Sequence, residues 1–314
     1  MASSEYSNYP NGFSPGAVIR EALGSDVVPG KIFYVGNHAT LIKGERDASD
    51  GNDGSFYRPL STINAAYDKC AAGRNDVIFV RPGHTETVDA ATDIVMDVSA
   101  VHILGLGRAE SRPIITFATA AAAAIPVSGA NNSLVNMVFK CNIASQNHMI
   151  DVAADDLLIK NCRFAEGSAT GLAFITADTA DGDSDRLRIE GCEFHAPTAG
   201  NYNAAIQIAK DHTGIRIIDC DIYGDFDDAG ISIPAGGNAQ VDLRIIKCRV
   251  DNLQTGDHAI EINGTGNTGM IIESYLQGDT FAAIVDTGGL SMFEVYVHDK
   301  ADQSYAVVTG TAVS

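Results

Sequence analysis

Tryptophan is missing from the 314 residues, and cations are scarce: 21 Lys and Arg stand against 40 Asp and Glu, a formal net charge of −19. Such a surface repels phosphates, which excludes nucleic acid and anionic membrane surfaces as partners. No apolar run is long enough to cross a bilayer. The opening MASSEYSNYP has neither a basic region nor an apolar core, so no secretory signal is expected. The six cysteines are then expected to meet a reducing cytoplasm. They form no C-x-x-C pair, and the histidines form no H-x-H or H-E-x-x-H motif, so neither a metal nor a cofactor is expected. Charged residues are only 19% of the chain while Gly counts 31, a poor profile for helices and a suitable one for short strands joined by turns.

What the chain does have is one eight-residue stretch written four times: LLIKNCRF (157–164), LRIEGCEF (187–194), IRIIDCDI (215–222) and LRIIKCRV (243–250). Leu157 and Ile159 alternate with the period of a strand, but the next apolar residue, Cys162, comes three positions later. A bend at Lys160-Asn161 followed by a second strand, with Cys162 and Phe164 inward, restores every apolar side chain to one interior. GMIIESYL (269–276) is a weaker copy with Ser274 in the cysteine slot, and VFKCNI (138–143) puts Cys141 there. A further short strand recurs in each interval: MIDV (149–152), AFI (173–175), AIQI (205–208), GISI (230–233), AIEI (259–262) and AAIV (282–285). Repeats spaced within roughly 20–50 residues, with no helical pattern between them, predict a solenoid.

The predicted fold is therefore all-β: a right-handed parallel β-helix with a short N-terminal capping helix and an N-terminal arm. Its segments are an arm at 1–30, a strand and capping segment at 31–75, the β-helix at 76–290 and capping strands at 291–314. Cys141, Cys162, Cys192, Cys220 and Cys248 are expected as one buried, reduced file, since free cysteine packs as a small hydrophobe.

The stretch 49–88 carries Asp50, Gly51, Asp53 and Gly54 in a loop, then Pro59, Thr62, Ile63, Ala65 and Ala66, then the strand VIFVRPG. In this order it resembles the opening of pectin-lyase-like β-helix proteins. The helix, with Ser61 or Thr62 as its cap and Ile63, Ala66, Tyr67 and Cys70 on one face, would cover the first coil. The glycine- and proline-broken arm with spaced Phe13, Val18, Ile19 and Leu23 resembles the docking segments of tailed-bacteriophage virion proteins, both head-decoration (cement) proteins and tailspikes. That resemblance implies a homotrimer on the capsid surface, with the major capsid protein as partner and those four residues as anchors. The alternative it leaves open is a small tailspike or depolymerase that binds or cleaves polysaccharide at its exposed face.

The fold also hosts pectate lyases and polygalacturonases. Of the motifs by which polygalacturonases resemble one another, Asp227-Asp228 matches one, while the N-T-D and G-H-G motifs are missing. Asp228 and Asp257 are expected on neighbouring coils, in a turn slot that Asn203 and Thr280 fill elsewhere, which fits turn-shaping hydrogen bonds better than catalysis. The outward row of the AIEI-type strand is read as Asp151, Phe174, Gln207, Ser232, Glu261 and Val285: two distant acids and no Lys or Arg. The expectation is a protein without catalytic activity, with Asp228, Asp257 and Glu261 the residues an enzyme would use. Asp47, Asp50 and Asp53 are the oxygen ligands a calcium site would use, but no bidentate Glu completes the loop, and a structural turn is preferred.

Overall fold

Each repeat turns its corner at one residue in the left-handed region. Asn136, Asn161, Asp219, Lys247 and Glu273 hold φ between 48° and 58°. This single residue joins strand Leu158–Lys160 to Arg163–Ala165 and reverses the pleat, which is the parity break written in the sequence. A second column, Asn131, Asp156, Arg186 and Asp242, does the same at φ 57–60° just before the first strand of each coil. Lys, Arg and Glu pay roughly 1–2 kcal/mol in this conformation. The rungs stacked above and below hold them there.

In the computed structural model, residues 18–19, 22–23, 30–37, 46–143, 145–167, 170–198, 202–235, 239–279, 285–286, 289–308 and 311–312 are described. They form a parallel β-helix of three long sheets. The first has eleven strands, from Ile32–Val35 to Thr311–Ala312; the second has ten, the third seven. Strands of successive coils pair in parallel, for example Ile159 with Ile189 and Ile189 with Ile217. The parallel winding continues beyond the expected boundary at 290. Ser291–Phe293 and Val295–Asp299 still follow the preceding coil, and antiparallel closure begins at Ser304–Val308.

The interior is built as files of like residues. Phe139, Phe164 and Phe194 stack with centroids 5.0 and 4.8 Å apart, and Phe117 joins more loosely at 6.4 Å. Beside them runs the cysteine file, with one correction. Arg163 is level with Val138, so the residue level with Cys162 is Met137; Cys141 lies further along its strand, level with Phe117. The file is Met137, Cys162, Cys192, Cys220, Cys248 and Ser274. All five predicted cysteines are buried, and all six in the chain are free thiols.

The geometry gives cysteine a specific task. Cys220 Sγ donates to the carbonyl of Ile218 (3.4 Å) at its own corner and to that of Ile189 (3.5 Å) one coil below. Cys162, Cys192 and Cys248 repeat the pair of contacts. Ser274 Oγ reaches the Ile272 carbonyl at 2.9 Å in the same slot. A small, weakly polar side chain fits the corner and gives a second contact to carbonyls that already accept a backbone N–H from the neighbouring coil.

The first coil is covered by helix Ile63–Tyr67, whose Ile63, Ala66 and Tyr67 are buried. Thr62 is its N-cap, accepting from Ala65 N at 3.2 Å. The arm corrects another expectation. Ile19 is buried against Tyr34, Val77, Phe79, Leu104 and Val135 on the outer face of the first sheet, with Val18, Ala22 and Leu23 packed around it. Ile19 is therefore occupied by its own chain, with Val18 and Leu23 half-buried beside it. Phe13 lies outside the described residues.

Candidate functional site

The third sheet places the candidate carboxylates on adjacent rungs. Ala229 is level with His258, so Asp228 and Asp257 follow one another at one rung spacing, about 4.8 Å. Ala204 is level with Ala229, which puts Asn203 on the rung before Asp228. Burial pushes Asp228 above the ordinary carboxylate range and Asp227 adds to it, while a hydrogen bond from the Asn203 side chain opposes both. Asp257 is raised by burial first, then by the charges of Asp227, Asp228 and Glu261, against a smaller contribution of opposite sign from His258. An upward shift is the direction a general acid needs.

The outward row differs from the expected one at two positions. Phe174 is fully buried, 4.2 Å from the Tyr202 ring, and Thr176 takes the slot level with Asp151 and Gln207. Val285 is level with the buried Ile260, so Asp286 follows Glu261. The row reads Asp151, Thr176, Gln207, Ser232 and Glu261, and in backbone register Glu261 is paired with Asp286. Glu261 accepts from Asn263 Nδ2 at 2.6 Å and from Ser232 Oγ at 3.5 Å. At the far end, burial raises Asp151, with His148 Nε2 3.8 Å away and opposing the shift. Neither column contains a Lys or Arg. A carbanion formed by proton abstraction would have no cation beside it in these rows.

The Asp-rich loop is a turn built by its own side chains. Asp50 accepts from Ser61 N (2.9 Å), Ser61 Oγ (2.7 Å), Thr62 N (3.0 Å) and Thr62 Oγ1 (3.2 Å), bracing the start of the helix. Burial pushes Asp50 up, but these donors outweigh it and hold the carboxyl below its usual range. Asp53 accepts from Ser55 N at 2.9 Å and pairs with Arg58 at 3.6 Å. The Asp47 carbonyl accepts from Asn52. Among the described residues no three His, Cys, Asp or Glu side chains converge to hold a metal ion.

One feature went unread in the sequence. Position two of three successive repeats is arginine, and the parallel register brings Arg188, Arg216 and Arg244 onto consecutive rungs of the first sheet's outer face. The letters LRIE, IRII and LRII carry that signal once the repeats are stacked.

The molecule belongs, by architecture, to the parallel β-helix proteins. It is similar to two solved structures: a rhamnogalacturonan lyase (TM-score 0.60, 15% identity, 91% of this chain and 79% of that one) and the pectate lyase Pel9A (TM-score 0.59, 13% identity, 89% and 72%). At these identities the likeness is one of fold. No protein-family model and no curated protein matches the chain.

Proposed function

We propose that the chain is a structural component of a tailed-bacteriophage virion, a homotrimeric head-decoration protein that works by contact rather than catalysis. The observation that supports this reading lies at the C-terminal coils. Phe293, Tyr296, Tyr305 and Val307 are each at least half exposed, and Met270 is over a third exposed. Tyr296 pairs with Val307 and His298 with Tyr305 on the closing hairpin, while Phe293 stands level with Ile272 around the corner. Tyr57, Leu172 and Val241 are exposed singly on other coils, whereas these side chains gather at one end, and grouped apolar surface of this kind marks interaction sites. With Ile19 buried against its own sheet, this end is the surface proposed to meet the major capsid protein.

The test is occupancy on particles that lack the protein, read by electron microscopy. A Tyr296→Asp, Val307→Asp double variant with an unchanged circular dichroism spectrum should fail to decorate them. Full occupancy by that variant removes the surface from consideration.

A second reading, cleavage of a bacterial surface polysaccharide, draws on the raised Asp228 and Asp257 pair. It requires a glycan-cleaving activity that Asp228→Asn abolishes; activity that survives the substitution sinks it.

A further inference from the structure

The two ends of the solenoid are finished differently. At the first, a loop of the same chain takes the free edge: Tyr34 N donates to the Gly54 carbonyl and Leu60 N to the Tyr34 carbonyl, each at 2.8 Å. At the last, the ten-stranded sheet stops at Ser304–Val308, and among the described residues no strand pairs with its far side. The backbone there can be followed residue by residue. Tyr296 N and Lys300 N donate to the Ser274 and Gly278 carbonyls of the coil below. Val295, Val297 and Asp299 therefore turn their backbone groups to the closing strand, opposite Val308, Ala306 and Ser304. What remains on the outer edge is the N–H and C=O of Tyr305 and Val307.

An open edge is a template for another strand, and proteins guard such edges with Lys, Pro, a bulge or a cover. Ser304–Val308 reads SYAVV in unbroken register and carries none of these. No side chain from Ser304 to Val313 is charged, on a chain of net charge −19. The repulsion that keeps copies apart elsewhere is missing along this strand. Tyr305, Ala306 and Val307 are all exposed.

We propose that Ser304–Val308 pairs with the same strand of a second copy, antiparallel about a two-fold axis at Ala306. In that register Tyr305 of each copy lies opposite Val307 of the other, and each such pair exchanges both of its backbone bonds. An aromatic side chain opposite a β-branched one is a favourable cross-strand pair, and Tyr296 already stands opposite Val307 within the chain. Ala306 meets its own copy at the non-hydrogen-bonded position between them. The antiparallel sense also sets the acidic hairpin turns, with Asp299 and Asp302, at opposite ends of the pair. One strand and its flanks fall below the roughly 1,200 Å² of stable complexes, so single and paired chains exchange with concentration. This goes beyond the virion reading: the pair is the closed form of the free chain, and capsid attachment through the same end would follow its opening.

The experiment is sedimentation equilibrium of the full chain over a concentration series. The unmodified chain should reach a species of twice the mass of a Val307→Pro variant. Proline there removes an outward donor and leaves the bonds to the preceding strand in place, so the circular dichroism spectrum should not change. Two cysteine variants read the register without touching the backbone. Cα atoms of a non-hydrogen-bonded pair are about 4.5 Å apart, within the span of a disulfide. Ala306→Cys should therefore give a disulfide-linked pair with oxidised glutathione, and Ser304→Cys, whose register partner is Val308, should not. The proposal is overturned if the unmodified chain never doubles, if Val307→Pro doubles equally well, if Ala306→Cys stays unlinked, or if Ser304→Cys links as readily. None of these results reads particle occupancy, which tests the virion assignment separately.

Discussion

Phe164 is the residue on which the stacked interior can be weighed. It is fully buried, with Phe139 at 5.0 Å on one side and Phe194 at 4.8 Å and nearly parallel on the other. Phe164→Ala removes the buried ring and leaves a cavity between two coils, a change worth about 3–5 kcal/mol. Phe164→Leu keeps much of the apolar volume but loses three ring pairs, with Phe139, Phe194 and, at 6.2 Å, Phe174; at about 0.5–1.5 kcal/mol each beyond burial this is about 1.5–4.5 kcal/mol in total. Phe117 supplies the internal control. It touches the stack at 6.4 Å through Phe139 alone, so Phe117→Leu should cost less than Phe164→Leu. Urea denaturation followed by circular dichroism reads the difference as a shift in midpoint at constant slope. If Phe117→Leu proves as costly as Phe164→Leu, stacking adds nothing beyond burial and the argument from the file fails.

Three other outcomes are expected. In native protein at mildly alkaline pH, Ellman's reagent should find the five file and strand cysteines closed, and Cys70 slow, because burial and the nearby Asp76 push its thiol up to about 12; rapid labelling of three or more thiols contradicts the structure. Ile19→Ala should lower stability by about 2–5 kcal/mol, the cost of emptying a buried aliphatic site; a change within a few tenths in the urea midpoint analysis means the segment is not docked on the sheet. Asp251 is raised above its unfolded value of 3.8 by burial, against the opposing charges of Lys300, Arg249 and His298. Its contribution is therefore fully present below the unfolded value and lost as pH rises through the folded one. Asp251→Asn should make the thermal midpoint fall less between acidic and neutral pH, and an unchanged profile refutes the assignment.

Much of the architecture was legible because a solenoid repeats a local rule. The parity break at Asn161, the strand on each side of it and the inward Phe164 belong to one coil, and three copies of the same sentence confirm them. The Asp50 turn and the Thr62 cap were legible for the same reason, being bonds between near neighbours. The third-sheet row was read less well. Its eight-residue strand in that coil, Thr170–Ala177, holds both Phe174 and Ile175 in the core, so simple alternation chose Phe174 where Thr176 stands.

The sequence by itself determined the period, the corner and the kind of residue each corner accepts, because these follow from backbone sterics and side-chain size within a single turn of chain. Only the tertiary structure decided which residues of different coils share a level. Cys141 left the file in favour of Met137 because pairing with Arg163 sets the register. Three arginines separated by a full coil became neighbours because parallel strands stack one rung apart. Likewise Ile19 found its place on Tyr34 and Phe79, since an apolar side chain on a broken segment suits any apolar face and only the assembled sheet offers that one.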